Sequence, residues 1–323
     1  MRTTMLSLTA LGAVLAILHA APAAAVNLNK TWVSHNGSDS FDCASPATAC
    51  ATFSGALGKT VSGGEIGVVD AGDYGGMLIA QSVNITNDGA GEASILGGII
   101  VGAENGDVVS LRGLVIDGQG KPTGGPGIFI LSGSAVHVQN CVIRNHEAAG
   151  LAYGISVQPG HNVQLFVSDT VIFNNGSSAR TAGIMIAPYA SASVNVVLDR
   201  VHLENNVDGI LVDGSAATGS GSHVIVRDSV ISGNAVNGIH ALTLAGQAPA
   251  FLMVERTSSV NNAGTGILAD GPHAIVLLKE STITRNGTGV STVNGGQLIS
   301  YGNNTNNNNL GAEGTATGFL SAF

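Results

Sequence analysis

"VHLENNVDGILVDG", residues 201–214, reads as a short strand, a polar turn and a second strand. The chain then says nearly the same thing again: "VISGNAVNGIHAL" at 230–242, "SSVNNAGTGILADG" at 258–271 and "TITRNGTGVSTVNG" at 282–295. An apolar pair, an asparagine, a few small residues and Gly-Ile recur in that order. With Gly-Ile as the marker, the series runs Gly127-Ile128, Gly154-Ile155, Gly183-Ile184, Gly209-Ile210, Gly238-Ile239, Gly266-Ile267 and Gly289-Val290. The interval of about 23 to 29 residues is a solenoid period.

Each repeat holds three short alternating runs, such as "HVIVRD", "SVIS" and "GIHAL", parted by Asn, Gly or Ser. Alternation of period two excludes helix faces. One repeat cannot bury its own apolar side chains, so the repeats must stack, each strand beside its counterpart about 4.8 Å away in the next coil. The asparagines are then expected to lie one above another at a shared corner and exchange amide hydrogen bonds: Asn145, Asn175, Asn205, Asn234, Asn262 and Asn286. Asn also tolerates a left-handed corner backbone, and the Gly that follows is expected to supply an unusual dihedral.

Composition agrees with this. Of 323 residues, 46 are Gly, 10% are charged and 4% aromatic, unlike a helical bundle. Arg2, the apolar run Met5 to Ala21 and Ala23-Ala24-Ala25 read as a secretory signal peptide over 1–25, cleaved after Ala25. An uncleaved anchor is the alternative; the missing basic stop-transfer flank argues against it. No later segment resembles a membrane span, so no stable insertion is expected after cleavage. A periplasmic or secreted location permits a disulfide between Cys43 and Cys50, leaving Cys141, in the strand pattern "VQNCVIRN", to pack as a small hydrophobe. A net charge of -9 without a local basic run excludes a nucleic-acid partner.

The domain reading is a segment over 26–64, a β-solenoid over 65–310 and a tail over 311–323. Phe53, Ala56 and Leu57 in "ATFSGALGKT", 51–60, are spaced for an amphipathic helix that caps the N-terminal end of the core.

The entry stretch "TWVSHNGSDSFDCASPATACATFSGALGKTVSGGEIGVVDAGDYGG", the phrase "LRGLVIDGQG", the N…GI corners and the closing "LISYGNN" together resemble the right-handed parallel β-helix proteins of pectate-lyase-like architecture. The resemblance covers almost the whole chain after residue 25. It implies an all-β, single-stranded right-handed parallel β-helix that binds or processes an extracellular or cell-wall polysaccharide, by lyase or glycoside hydrolase chemistry if it is an enzyme. A non-catalytic surface scaffold or adhesin-like protein is the alternative. The chain lacks the paired Asp and Gly-His-Gly of polygalacturonase-like hydrolases and the Asp-Pro-His of alginate-epimerase-like proteins; "ADGPHA" around His273 matches the latter only superficially.

Alignment of the coils on their asparagines suggests a column of carboxylates: Asp169, Asp199, Asp228, Glu255 and Glu280, with Arg200, Arg227, Arg256 and Lys279 as neighbours. Bare carboxylates stacked so closely would repel. Interleaved bases or a calcium ion would relieve them. The first reading is an ordinary solvated ladder completed by the Arg and Lys partners. If the column is functional, Asp199, Asp228, Arg200 and Arg227 are the central candidates for catalysis. No cofactor is required. The histidines are scattered and show no zinc-site spacing. The loops "IDGQGKPTGGPGI" (116–128), "DGSAATGSGSH" (213–223) and "TLAGQAPA" (243–250) widen their coils and are expected to border a groove.

Overall fold

The computed structural model describes residues 27–321, so the expected signal peptide, residues 1–25, lies outside the described residues. The chain winds through about nine complete coils and lays down three parallel sheets. Ser193–Asp199 lies in the first sheet, His202–Glu204 in the second and Asp208–Asp213 in the third; Gly221–Arg227 then returns to the first sheet one coil on. The sheets hold 12, 10 and 9 strands in this order, and their pairing is parallel and in register.

Alternation explains why these runs are strands. In Ser193–Asp199 the residues Val194, Val196 and Leu198 are buried in the central core, and their neighbours face out. One continuous core fills the coil interior.

The corner between the second and third sheets carries the asparagine ladder. The Oδ1 atoms of Asn206, Asn234, Asn262, Asn286 and Asn309 accept the backbone N–H and the side-chain Nδ2 of the asparagine one coil before, at 2.8–3.3 Å. The series therefore runs Asn175, Asn206, Asn234, Asn262, Asn286, Asn309. Asn205 and Asn145 stand one residue outside it. They belong to the column of left-handed residues just before the ladder, with φ of 59° at Asn145, 55° at Asn174 and 53° at Asn205. Expecting one Asn both to turn left-handed and to stack merged two adjacent columns. His146 occupies the ladder position below Asn175, and its N–H donates to Asn175 Oδ1 at 3.1 Å.

The recurring glycine has a packing cause. A Cβ on Gly209 would stand 3.0 Å from Asn234 Nδ2 and 2.5 Å from the Gly238 carbonyl oxygen, and Gly154, Gly183, Gly238 and Gly266 are placed alike. None of these has a positive φ, so the expectation of an unusual dihedral is replaced by close approach: the ladder amide sits where the Cβ would be.

The first-to-second corner has its own ladder of smaller side chains. Ser229 Oγ accepts the Val201 N–H, Thr257 Oγ1 that of Ser229 and Ser281 Oγ that of Thr257, at 3.1–3.4 Å. Cys141 fills a place in this column. Its thiol is buried and pushed up to about 11 by desolvation, which makes it unreactive.

Strand pairing extends beyond 65–310 at both ends. Leu28–Val33 opens the first sheet, and its outer edge is covered by the loop that the Cys43–Cys50 disulfide closes, through Trp32 to Cys43 and Cys50. The helix is shorter than 51–60: Phe53–Leu57, capped by Thr52, whose Oγ1 accepts the Gly55 N–H at 2.9 Å. Thr60 already begins the next strand. At the far end Gly318–Phe319 adds to the first sheet, within the expected tail.

Two substitutions separate the columns. Asn206→Ala leaves buried donors on Asn175 unpaired and should cost about 1–3 kcal/mol, whereas Asn205→Gly keeps the left-handed corner and should be nearly neutral. Gly209→Ala forces overlap against backbone and should cost about 1–3 kcal/mol. Chemical denaturation checks all three; equal effects at Asn205 and Asn206 would contradict the assignment.

Candidate functional site

The charged residues singled out by the sequence lie at the first-to-second corner, in two adjacent columns. At the strand ends, Asp199, Arg227, Glu255 and Lys279 pair in succession. At the following left-handed position come Asp169, Arg200, Asp228, Arg256 and Glu280, with φ between 45° and 52°. Sign alternates down both columns, so the carboxylates do not stack on one another; each is followed by a cation except Glu280, which ends its column against Asn303. The expected column of acids with interleaved bases is present in a finer form: the acids divide between two adjacent columns, each alternating with bases, as a checkerboard. The signal was present in the sequence as the dipeptides Asp199-Arg200, Arg227-Asp228, Glu255-Arg256 and Lys279-Glu280, whose order inverts from coil to coil.

The checkerboard is closed by ion pairs. Arg200 holds Asp169 at 2.7 Å and also pairs with Asp199; Arg227 holds Asp199 at 2.9 Å. Arg256 holds Asp228 at 2.8 Å and Glu255 at 2.6 Å, and Lys279 holds Glu255 at 2.9 Å. Hydrogen bonds from Arg200, Arg256 and Lys279 hold Asp169, Asp228 and Glu255 respectively below the usual carboxylate range. Arg200 and Arg256 are raised in turn by Asp169 and Asp228. Asp199, Asp228, Arg200 and Arg227 thus come together, but every one is committed to a partner. The corner is also tight: two residues, 200–201, link the strands there.

The long loops lie elsewhere. The segments 118–127, 145–152 and 174–181 link the second sheet to the third, and 187–192, 214–220 and 243–249 link the third back to the first. Both sets flank the third sheet, so its outer face is the floor of the track they border. Down that floor run Ile100, Phe129, Ser156, Met185, Leu211, His240, Leu268 and Ser291 in register. At its N-terminal end, Ile100, Pro126, Phe129 and Leu151 line a concavity of about 280 Å3. His146 holds the Gly-rich wall there through Nδ1 at 3.1 Å from the Gly125 carbonyl. In the middle, Tyr153, Met185 and Leu211 form a small apolar cluster beside the Arg180–Asp213 ion pair.

Beyond this cluster stands a group that the sequence reading missed. His240 lies between two carboxylates, with Nδ1 3.8 Å from Asp208 Oδ2 and Nε2 3.8 Å from Asp270 Oδ2. Both distances exceed a hydrogen bond, and Nε2 is buried with no hydrogen-bond partner among the described residues. Asp208 is fixed by the Asn237 N–H at 2.8 Å, and Asp270 by Asn294 Nδ2 at 2.7 Å. The two acids flank opposite edges of the ring, and among the described residues no group of three His, Cys, Asp or Glu converges on a metal position. The signal available was the "DG" and "AD" punctuation of "NNVDGILVDG" and "GTGILAD", acids at the start and end of one strand column, whereas the carboxylates that the sequence pattern groups lie at the other corner. The remaining histidines do not join this group: His137 stacks on Phe166 and His223 on Phe251, at 4.8 and 5.1 Å.

The ion pairs predict the acid response. Asp169, Asp228 and Glu255 have folded-state values below those of the unfolded chain, so their stabilisation is full above about pH 4–5 and is lost as pH falls through the folded values. The melting temperature should be flat from neutrality to about pH 5 and then fall. Arg256→Met should flatten that fall slightly, since exposed pairs contribute little. A variant with an unchanged acid limb would contradict this account.

Residues 81–251 match the family model described as "Right handed beta helix region". No curated protein sequence matches the chain. Among solved structures, the crystal structure of pectate lyase Pel9A is similar with a TM-score of 0.65 at 16% identity, over 91% of this chain and 78% of that one. At this identity the likeness is one of fold. With more than half its length matched and three parallel sheets wound as described, the chain belongs to the right-handed β-helix family.

Proposed function

We propose that the protein is exported and binds a polysaccharide along the outer face of its third sheet. The observation that carries this is the coincidence of both sets of long loops with the His240 group on one face, while the first-to-second corner is tight and fully ion-paired. A track along the solenoid axis suits an extended chain, and the concavity at Phe129 offers an apolar floor for a sugar ring. The fold likeness to a pectate lyase supports a polysaccharide as the class of ligand.

The chemistry of the face narrows that class. Asp208, Asp213 and Asp270 contribute negative charge, and the nearby Arg180 is already paired with Asp213. Neutral or amino sugars fit such a face directly; a polyuronate would need a divalent cation, such as calcium, to bridge it. Turnover, if present, would use His240 as the proton-transferring group, since its partnerless Nε2 faces Asp270 on this sheet, whereas the equally partnerless Nε2 of His146 is turned into the coil against Gly127. A second reading, a non-catalytic envelope scaffold or adhesin-like rod, draws on the regular charge-paired corner.

A glycan array on purified protein, with and without calcium, combined with assays for reducing ends and unsaturated products, tests this. Binding is expected, and His240→Ala and Asp270→Asn should each weaken it roughly tenfold or more, about 1.4 kcal/mol. Asp199→Ala and Asp228→Ala should leave it unchanged. Binding that survives at the first pair and fails at the second would move the site back to the corner; binding to no glycan would favour the scaffold reading.

A further inference from the structure

The outer face of the first sheet is apolar where a solvated solenoid face would be polar. Phe166, Val197, Ile225, Met253, Leu277 and Ile299 form one column in register over six coils. Ile225 is 42% exposed, and Phe251 beside it 36%. Phe251 stacks on His223 in the neighbouring column, and the strand-end charges Asp199, Arg227, Glu255 and Lys279 run along the other side. Each of the central strands therefore shows an apolar residue flanked by a charge.

We infer that this face is the interface of a homodimer in which a second copy of the chain packs on it antiparallel. The order of charges selects that occupant. A two-fold axis lying in the face, perpendicular to the solenoid axis, sets each column against itself in reverse order. Placed between the Arg227 and Glu255 rungs, the axis brings Asp199 opposite the partner's Lys279 and Arg227 opposite the partner's Glu255. The corner column obeys the same axis: Arg200 meets the partner's Glu280, and Asp228 meets the partner's Arg256. Each of these eight charges meets the opposite sign, and Asp169, one rung further out, meets no charge.

The apolar column is centred on the same point. Ile225 faces the partner's Met253, Val197 the partner's Leu277 and Phe166 the partner's Ile299, with His223 and the partner's Phe251 meeting beside the axis. An axis passing through a rung would set Arg227 on itself and Asp199 on the partner's Glu255, like charges throughout. A parallel arrangement would set the charged column against the His223 and Phe251 column. Only the antiparallel axis between these two rungs uses four charged rungs and six apolar ones at once. Six coils at about 4.8 Å and strands about 20 Å long give a flat face of about 580 Å2, roughly three quarters of the ~800 Å2 per partner in a standard stable interface, before the relief of the side chains and the corner column are added. Two such sheets pack about 10 Å apart.

Sedimentation velocity of the purified protein over a wide concentration range tests this, with folding of every variant checked by circular dichroism. The wild type should sediment at twice the chain mass. Ile225→Glu and Met253→Lys, both at solvent-accessible positions, should each raise the dimer dissociation constant roughly thirtyfold or more. Their combination sets opposite charges across the axis and should recover the dimer. Register is read by cysteines: the Val197→Cys, Leu277→Cys pair should form a covalent dimer on oxidation and neither single variant should, because within one chain these positions lie about 14 Å apart, beyond disulfide reach. A monomer at every concentration overturns the proposal, whether a glycan, another protein or the chain's own first 26 residues covers the face. So does a dimer indifferent to Ile225→Glu, or cross-linking by Val197→Cys alone.

Discussion

In-register stacking is the constraint on which everything else rests. Each residue of a coil has as its nearest neighbour the residue at the same position one coil on, about 4.8 Å away. The meaning of a side chain therefore depends on what it becomes when repeated. An amide repeated is an asset, because its oxygen and its nitrogen face complementary partners above and below; hence Asn175 through Asn309. A charge repeated is a liability, because like signs face each other. The chain resolves this by inverting the order of acid and base in successive coils, so the same rule that lines up asparagines interleaves Asp199 with Arg227 and Arg200 with Asp228.

The same constraint explains the glycines. A ladder amide turned into the coil needs room, and that room is taken from the Cβ of the residue opening the third-sheet strand. Asn and Gly-Ile recur together because they occupy one volume. Where the ladder residue is His146, its Nε2 lies 2.9 Å from the Cβ position of Gly127, so the rule holds even where the asparagine is replaced.

Much of this was legible in the sequence. The N…GI period gave the coil, the alternation gave the strands and Cys43–Cys50 gave the bridge that guards the first edge. The exact ladder member was not legible at 205–206, because two consecutive asparagines differ only in backbone sign, which the letters do not show. The interleaving of acids with bases was legible, but not its division into two columns, because Asp199 and Asp228 differ by one place along the coil and only the strand register shows which position each takes. His240, Asp208 and Asp270 were hidden because the GI strand is read as core, and its outward positions acquire neighbours only when the loops on either side are placed. Loop length could be read from the sequence; that the longer loops of the central coils border one sheet could not.

The asparagine column can be tested without reference to any function. Side-chain carboxamide proton exchange, followed by NMR on the folded protein, distinguishes an amide inside the ladder from one at the surface. The account predicts slow exchange at Nδ2 of Asn206, Asn234, Asn262 and Asn286, and fast exchange at Asn205, which is exposed. Fast exchange along the whole series, or protection at Asn205 in place of Asn206, would contradict it.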